Sequence, residues 1–336
     1  MSASPAGSAA VPGTSLGVGV DIGGTKIAAG LVTADGTIVA RRTAPTPAGD
    51  GIASTVAELV THLREGTEGV VTGVGVGAAG FVGADRSTIL FAPNIDWRDV
   101  PLGEDIARLV ELPVVIENDA NAAAWGEFRF GAGADAGDLL LVTIGTGVGG
   151  GVIHQGDLVR GGFGIAAEVG HLRLVRDGRL CGCGQHGCLE QYASGSALVA
   201  DARARVEHDP EGGAALVARA GGVDAIDGPM VTALAQEGDP LSIDLLHDLG
   251  RWIGEACASL AAVLDPTVIA IGGGVGAAGD LVLTPVREAF AEHLPARHHR
   301  PVAEVRLATL GNEAGLVGAA DLGRLALSRP DLDHQT

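Results

Sequence analysis

This sequence predicts a two-domain α/β fold, built from a duplicated unit around a cleft, and three observations support that expectation. The segment Val142–Val152 repeats the layout of Val20–Lys26, an apolar strand, a Gly/Thr turn and a second strand. Each copy is followed by helical patterns, the arrangement from which layered α/β domains are made. With 336 residues, 46% of them hydrophobic, the chain can bury a large core and divide it between two domains or two lobes.

The elements follow in order. Leu16–Ile22 alternates apolar residues with Gly and Asp, as a strand does, and runs through Gly23-Gly24-Thr25-Lys26 into a second strand, Ile27–Val32. Asp35-Gly36 turns the chain into a third strand, Thr37–Arg42. Ile52, Val56, Leu59, Val60 and Leu63 share one helical face. Val70–Ala78 reads as a buried strand, Leu102–Val110 as a helix, Val114–Glu117 as a short strand and Ala120–Phe130 as a helix. The second glycine turn also opens a hairpin, closed by Gln155-Gly156-Asp157. A long helix near 240–263, a buried strand Val268–Gly272, a helix over 280–293, a strand over 302–309 and a helix over 312–327 complete the pattern. The expected division is a disordered tail over 1–15, a small domain over 16–121 to which helix 312–327 returns, and a large domain over 122–311.

Composition narrows the function. The balance of 22 Lys+Arg against 41 Asp+Glu gives a formal charge of −19, which repels nucleic acid and anionic membranes. No apolar run is long enough to span a bilayer, and the first residues lack the basic start and apolar core of a secretory signal. The 54 glycines follow no collagen-like period and cluster after apolar runs, which points to tight turns and close backbone approaches. Cys257 reads as a small core residue.

Three of the four cysteines form Cys181-x-Cys183-x4-Cys188, and His171 precedes the first by ten positions. Three thiolates and an imidazole complete a tetrahedral shell for zinc, with no position left for a catalytic water. Gly182, Gly184 and Gly187 are expected to let the loop 171–190 aim its sulfurs at one point. The alternative is a set of reactive thiols or a disulfide pair. His186 lies inside the loop, but the shell is full without it. Such a set suits a reducing cytoplasm.

Glu117-Asn118-Asp119 follows a buried strand. There Asp119 could accept a proton from a substrate hydroxyl while Asn118 orients it. Either side chain would equally cap the helix that begins at Ala120. Glu168 and Glu190 flank the metal ligands, facing either a substrate or solvent. None of the glycine clusters fits a P-loop. Gly145-Thr-Gly147-Val-Gly-Gly150 enters a strand, and Gly274-Val-Gly276-Ala-Ala-Gly279 has too little chain after it, so neither makes a dinucleotide fold.

Asp21-Ile-Gly-Gly-Thr-Lys26, Glu117-Asn118-Asp119, Gly145–Gly150, Glu168-Val-Gly-His171 and the Cys181–Glu190 segment together resemble the ROK-family sugar kinases, in particular the bacterial ATP-dependent glucokinases among them. Phe91-Ala-Pro-Asn94-Ile-Asp-Trp97 resembles the same group, and the likeness covers about residues 16–327. The resemblance implies an actin/hexokinase-like, duplicated RNase H-like fold closing over a sugar. It implies that Asp119 deprotonates the 6-hydroxyl of glucose, while Asn118, Glu168, His171 and Glu190 bind the other hydroxyls. It assigns Gly23, Gly24, Thr25, Lys26, Gly145, Thr146 and Gly147 to the phosphates of Mg-ATP, and Gly272, Gly273 and Gly274 to the adenosine side. Asp21 is then the acid that helps to hold Mg²⁺ through water. Homodimers or higher homo-oligomers are usual in such families. Other sugars (N-acetylmannosamine, fructose, allose) and a polyphosphate donor are the nearest alternatives. A sugar-sensing repressor would need a DNA-binding domain ahead of residue 16, for which the first fifteen residues leave no room.

Overall fold

The structure, a computed structural model, describes residues 15–47, 49–92 and 97–326. The tail expected over 1–15 therefore lies outside the described residues except for Ser15, and Pro93–Asp96 of the Phe91–Trp97 motif and residue 327 also fall outside them.

The first half runs β1 (Ser15–Ile22), β2 (Lys26–Thr33), β3 (Ile38–Pro45), α1 (Ile52–Glu65) and β4 (Val70–Ala78). It continues through a small three-stranded sheet, β5 (Phe81–Val82), β6 (Ile89–Ala92) and β7 (Trp97–Val100). After these come α2 (Leu102–Val110), β8 (Val114–Asn118) and α3 (Asp119–Phe130). The second half opens with β9 (Leu139–Ile144), β10 (Val148–His154) and β11 (Asp157–Leu158). Next come α4 (Glu190–Ala193), α5 (Gly195–His208), α6 (Ala214–Ala220), α7 (Gly228–Gln236) and α8 (Pro240–Leu264). It ends with β12 (Val268–Gly272), α9 (Asp280–His293), β13 (Glu304–Leu307) and α10 (Ala314–Leu325).

The duplication expected from the glycine turns is visible in the topology. One sheet has the order β3-β2-β1-β4-β8 and the other β11-β10-β9-β12-β13. In both, an antiparallel three-stranded meander leads into two parallel strands. The sequence pattern did not show the small sheet β5–β7 or the helices α4–α7. Strand 302–309 is shorter than expected, because only Glu304–Leu307 pairs with β12.

Much of the glycine content is explained by one helix. In β1, Leu16, Val18, Val20 and Ile22 point into a core shared with Val74 and Val76 of β4 and with Ile52, Val56, Val60 and Ile106. The alternate positions, Gly17 and Gly19 in β1 and Gly73 and Gly75 in β4, make a flat floor on the opposite face. Helix α10 lies directly on that floor. A Cβ at Gly19 would overlap the Leu316 carbonyl, and one at Gly75 the Ala319 carbonyl. Nor can the helix retreat, because a Cβ on its own Gly318 would overlap the Ala122 carbonyl of α3. At such sites overpacking typically costs 1–3 kcal/mol or more, about a fifth of a domain's net stability. The crossing is pinned by Asp321, buried at 2% exposure, which accepts from Trp125 Nε1 at 2.9 Å and Arg129 Nε at 3.0 Å. Thus α10 seats the first sheet, while α3 packs against β10 of the second, with Ala124 over Gly151.

Candidate active site

Every parallel strand of both sheets runs toward the same cleft, and ligands of open α/β sheets collect at such strand ends. The cavity there has a volume of about 1520 Å³. Asp21 from β1, Asn118 and Asp119 from the β8–α3 junction, Gly145-Thr146-Gly147 after β9 and Gly272-Gly273 after β12 line it, together with Glu168, His171 and Glu190. Gly23, Gly24, Thr25, Lys26 and Gly274 do not line it.

The choice between capping and a site role at Asn118-Asp119 divides between the two residues. Asn118 is the N-cap of α3: its Oδ1 accepts from Ala120 N at 3.0 Å and Asn121 N at 3.1 Å. Its amide also donates to Gly80 O at 3.2 Å, which leaves one N–H for a ligand. Asp119 accepts only from Ala120 N, at 2.9 Å through Oδ1, and turns the rest of its carboxylate to the cleft. Its surface opens onto that cleft, yet protein crowds it on the cleft floor. This crowding raises its pKa above the ordinary aspartate value, with the Ala120 N–H bond opposing the rise.

The neighbouring carboxylates are shifted the same way. Burial raises Asp21, and the charge of Asp119 adds to the rise while Lys26 opposes it. Burial raises Glu168 as well, with His171 opposing and Asp119 and Glu190 adding. A cleft that concentrates negative charge in this way favours hydroxyl donors and cations. Ala167, just before Glu168, holds a left-handed backbone with φ of 69°, a conformation that costs a non-glycine residue energy.

The ligand atoms of His171, Cys181, Cys183 and Cys188 lie within 4.8 Å of one another. Cys181 Sγ is 3.7 Å from His171 Nδ1, and Cys183 Sγ is 3.7 Å from Cys188 Sγ. Zinc–sulfur bonds of about 2.3 Å in a tetrahedron put neighbouring sulfurs about 3.8 Å apart, whereas a disulfide needs about 2.05 Å. The cluster therefore fits zinc and not a disulfide. Because Nδ1 faces the sulfurs, Nε2 is left on the far side of the ring. Two of the three loop glycines are required: Gly184 has φ of 86°, and Gly187 has φ of 78° with no room for a Cβ beside the Val175 carbonyl. Gly182 is in open space with no unusual φ, so the expectation that it too shapes the loop does not hold.

Residues 17–325 match the model of the ROK family. The chain belongs to the ROK family. It is 50% identical over 311 residues to a glucokinase of Streptomyces coelicolor, covering 92% of this chain and 98% of that one. An N-acetylmannosamine kinase of Escherichia fergusonii is 33% identical, over 91% and 97% of the two chains. Among solved structures, the ROK family glucokinase from Streptomyces griseus, in complex with glucose and AMPPNP, superposes with a TM-score of 0.83 at 51% identity, covering 92% of this chain and 99% of that one.

Several residues of this ROK cleft gave no separate signal in the sequence. Arg179, inside the metal loop, also lines the cavity and grips Asp201 of α5 with both guanidinium nitrogens, at 2.7 and 3.1 Å. Glu117, 2% exposed, accepts from Arg160 Nε at 2.8 Å and from Asn121 Nδ2 at 3.2 Å, tying the segment after β11 to the strand that carries Asp119. An acid before Asn-Asp was visible in the sequence, but its distant arginine was not.

Proposed function

We propose that this chain transfers the γ-phosphoryl group of ATP to the 6-hydroxyl of glucose. The observation that carries the reading is the meeting of three kinds of group in one cleft. A carboxylate base, Asp119, faces a wall of Glu168, His171 and Glu190, beside a bare glycine turn at Gly145–Gly147. The Streptomyces relatives support glucose and ATP as the pair that fills it.

In this reading Asp119 accepts the proton of the 6-hydroxyl as that oxygen bonds to the γ-phosphorus. The bond from the γ-phosphorus to the β–γ bridging oxygen breaks, and ADP leaves. A raised pKa makes Asp119 a stronger base than an ordinary aspartate while leaving it ionised at neutral pH. The free N–H of Asn118, Glu168, His171 through Nε2, and Glu190 hold the remaining hydroxyls. A sugar lacking a matching hydroxyl leaves one of them unpaired, which is the basis of selection. Gly145–Gly147 and Gly23–Lys26 receive the phosphates, and Gly272–Gly274 the adenosine side.

Because Gly23–Lys26 and Gly274 stand off the cavity wall, the reading includes a closure. The unit formed by 16–121 and 312–327 would swing toward the unit 122–311 and exclude water. A Mg²⁺ ion accompanies the nucleotide, and the donors fit it, since a divalent cation relieves the repulsion that raises Asp21 beside Asp119. Held by Asp21 through water, it would supply charge neutralisation at the phosphoryl oxygens. Zinc at the Cys3His cluster would supply rigidity, with its shell closed to substrate. No helix among the described residues is long and apolar enough to cross a membrane. The reading places the enzyme in the cytoplasm as a homodimer or higher oligomer, which sedimentation would test.

The deciding experiment is a coupled assay with Mg-ATP against glucose, mannose, fructose and N-acetylmannosamine, with polyphosphate as a second donor. Glucose with ATP is expected to give the highest kcat/KM. An equal or higher value for another sugar, or for polyphosphate, replaces this reading.

A further inference from the structure

Both ends of the metal loop rest on the same residue of the nucleotide-side turn. At the start of the loop, Gly170 packs so tightly on Val148 that a Cβ there would overlap the Val148 carbonyl. At its end, Glu190 Oε2 accepts the Val148 N–H at 3.2 Å, and the same oxygen would lie 2.5 Å from a Cβ at Gly147. The other oxygen of Glu190, Oε1, is 3.8 Å from the ligand atom Cys181 Sγ. One carboxylate therefore spans from the metal cluster to the turn.

The chain just beyond the loop fastens the rest of the turn. Gly195 N donates to Gly145 O at 2.8 Å, and Ser196 donates to Thr146 O through Oγ at 2.8 Å. Arg179 of the loop is fixed to the same helix through Asp201, and its backbone N–H donates to Tyr192 Oη at 2.8 Å. The carbonyls of Gly145 and Thr146 are thus anchored, while the N–H groups of Thr146 and Gly147 have no partner among the described residues. A turn so held points its amides outward as an anion-binding concavity.

We propose that the Cys3His loop positions the nucleotide-binding turn Gly145–Val148 as well as the sugar-side wall, with Glu190 the positioning residue that joins them. The proposal rests on reading Cys181, Cys183, Cys188 and His171 as a zinc site and Gly145–Gly147 as a phosphate turn. Ordering the loop with the metal then pre-forms the nucleotide site with no sugar present, so zinc and nucleotide binding are linked in both directions.

The test is calorimetric binding of Mg-AMPPNP without sugar, with zinc content measured on the same samples. Removing zinc from the full-length protein with a chelator is expected to weaken the analogue by at least about fivefold, the lower range for coupled sites. Glu190→Ala in the zinc-loaded protein should weaken it similarly, and the two changes together no more than either alone. Glu190→Gln keeps an oxygen facing Val148 N–H and should bind near the wild-type Kd. Hydrogen exchange across 139–150 should rise on chelation, a readout that reports the turn even where a variant folds poorly. Kd within twofold of wild type after verified zinc loss, with unchanged exchange at 145–148, overturns the proposal. A wild type that binds no AMPPNP instead defeats the nucleotide reading, and one that takes up no zinc defeats the metal reading; each shows in its own measurement.

Discussion

The two glycine turns occupy equivalent places in sheets of the same strand order, yet they are supported in opposite ways. The β1–β2 turn is held by its own surroundings. Gly23 N donates to Lys26 O at 3.0 Å, Thr46 N to Thr25 O at 3.1 Å, and Thr46 Oγ1 to Gly23 O at 2.6 Å. The β9–β10 turn is held from afar by Glu190, Gly195 and Ser196, fifty residues along the chain at Ser196. Duplication supplies two phosphate-sized loops, and what is inserted after the hairpin decides how each is used. The first is free to arrive with its half of the molecule; the second is a fixed shelf with a metal brace behind it. Chemistry is also divided, since Asp119 belongs to the strand β8 of the first sheet while the sugar wall belongs to the second half.

The sharpest way to separate those contributions is Asp119→Asn. The substitution keeps the acceptor for Ala120 N–H and removes the base, so kcat should fall by about 10²–10⁴. Binding of Mg-AMPPNP should hold, because the braced turn is untouched. Stopped assays and calorimetry on one preparation check this, and substantial residual turnover would place the base elsewhere.

Cys183→Ser attacks the other side of the comparison and should have the next largest effect. Loss of one thiolate opens the cluster, so melting temperature should fall and the KM for glucose and for ATP should both rise, by about 10-fold or more. An unchanged glucose KM together with an unchanged Tm would mean the loop needs no metal to hold its shape.

The pH dependence tests whether the cleft floor is as crowded as it looks. A raised Asp119 pKa moves the acid limb of kcat/KM above the range of an ordinary aspartate, about 3.9. The stability sign is opposite to that of a salt-bridged carboxylate. Because the folded pKa lies above the unfolded one, the contribution to stability is full below about pH 4 and is lost as pH rises through the folded value. Asp119→Asn should therefore melt above wild type at neutral pH, and the gap should close as pH falls toward about 4. A constant gap across that window would show that the carboxylate is not desolvated.

Local patterns made much of this molecule legible. Leu102–Val110 and Val268–Gly272 are observed at the expected bounds, and the Cys181–Cys188 spacing foretold a cluster with tetrahedral edges. Period-two and period-3.6 signals are carried by neighbouring residues, and so is metal-ligand spacing. Partners distant in sequence left no such trace. Nothing near Gly19 says that the Leu316 carbonyl will press on it, and nothing near Glu190 says that its carboxylate will hold Val148. Helices α4–α7 were missed because they are short or weakly amphipathic and are stabilised by packing around Leu198, Leu216 and Leu246. At Asn118-Asp119 the sequence left two readings open, since a cap and a base use the same residue types; only the direction of each side chain separates them.

The smallest effect expected is at the first turn, and its smallness is the point. Thr46→Val removes the hydroxyl that donates to Gly23 O but keeps side-chain volume and the backbone bond to Thr25. A neutral hydrogen bond at a half-exposed position is worth about 1 kcal/mol, and water can replace this one. Tm should drop by about 2 °C or less, and AMPPNP affinity measured without sugar should change less than about threefold. The kcat, by contrast, should fall measurably, because this turn matters only once the halves have closed and it meets the phosphates. If Thr46→Val weakened nucleotide binding in the absence of sugar as much as Glu190→Ala does, the two turns would be equal partners in the open protein. The division into an arriving turn and a fixed shelf would then be wrong.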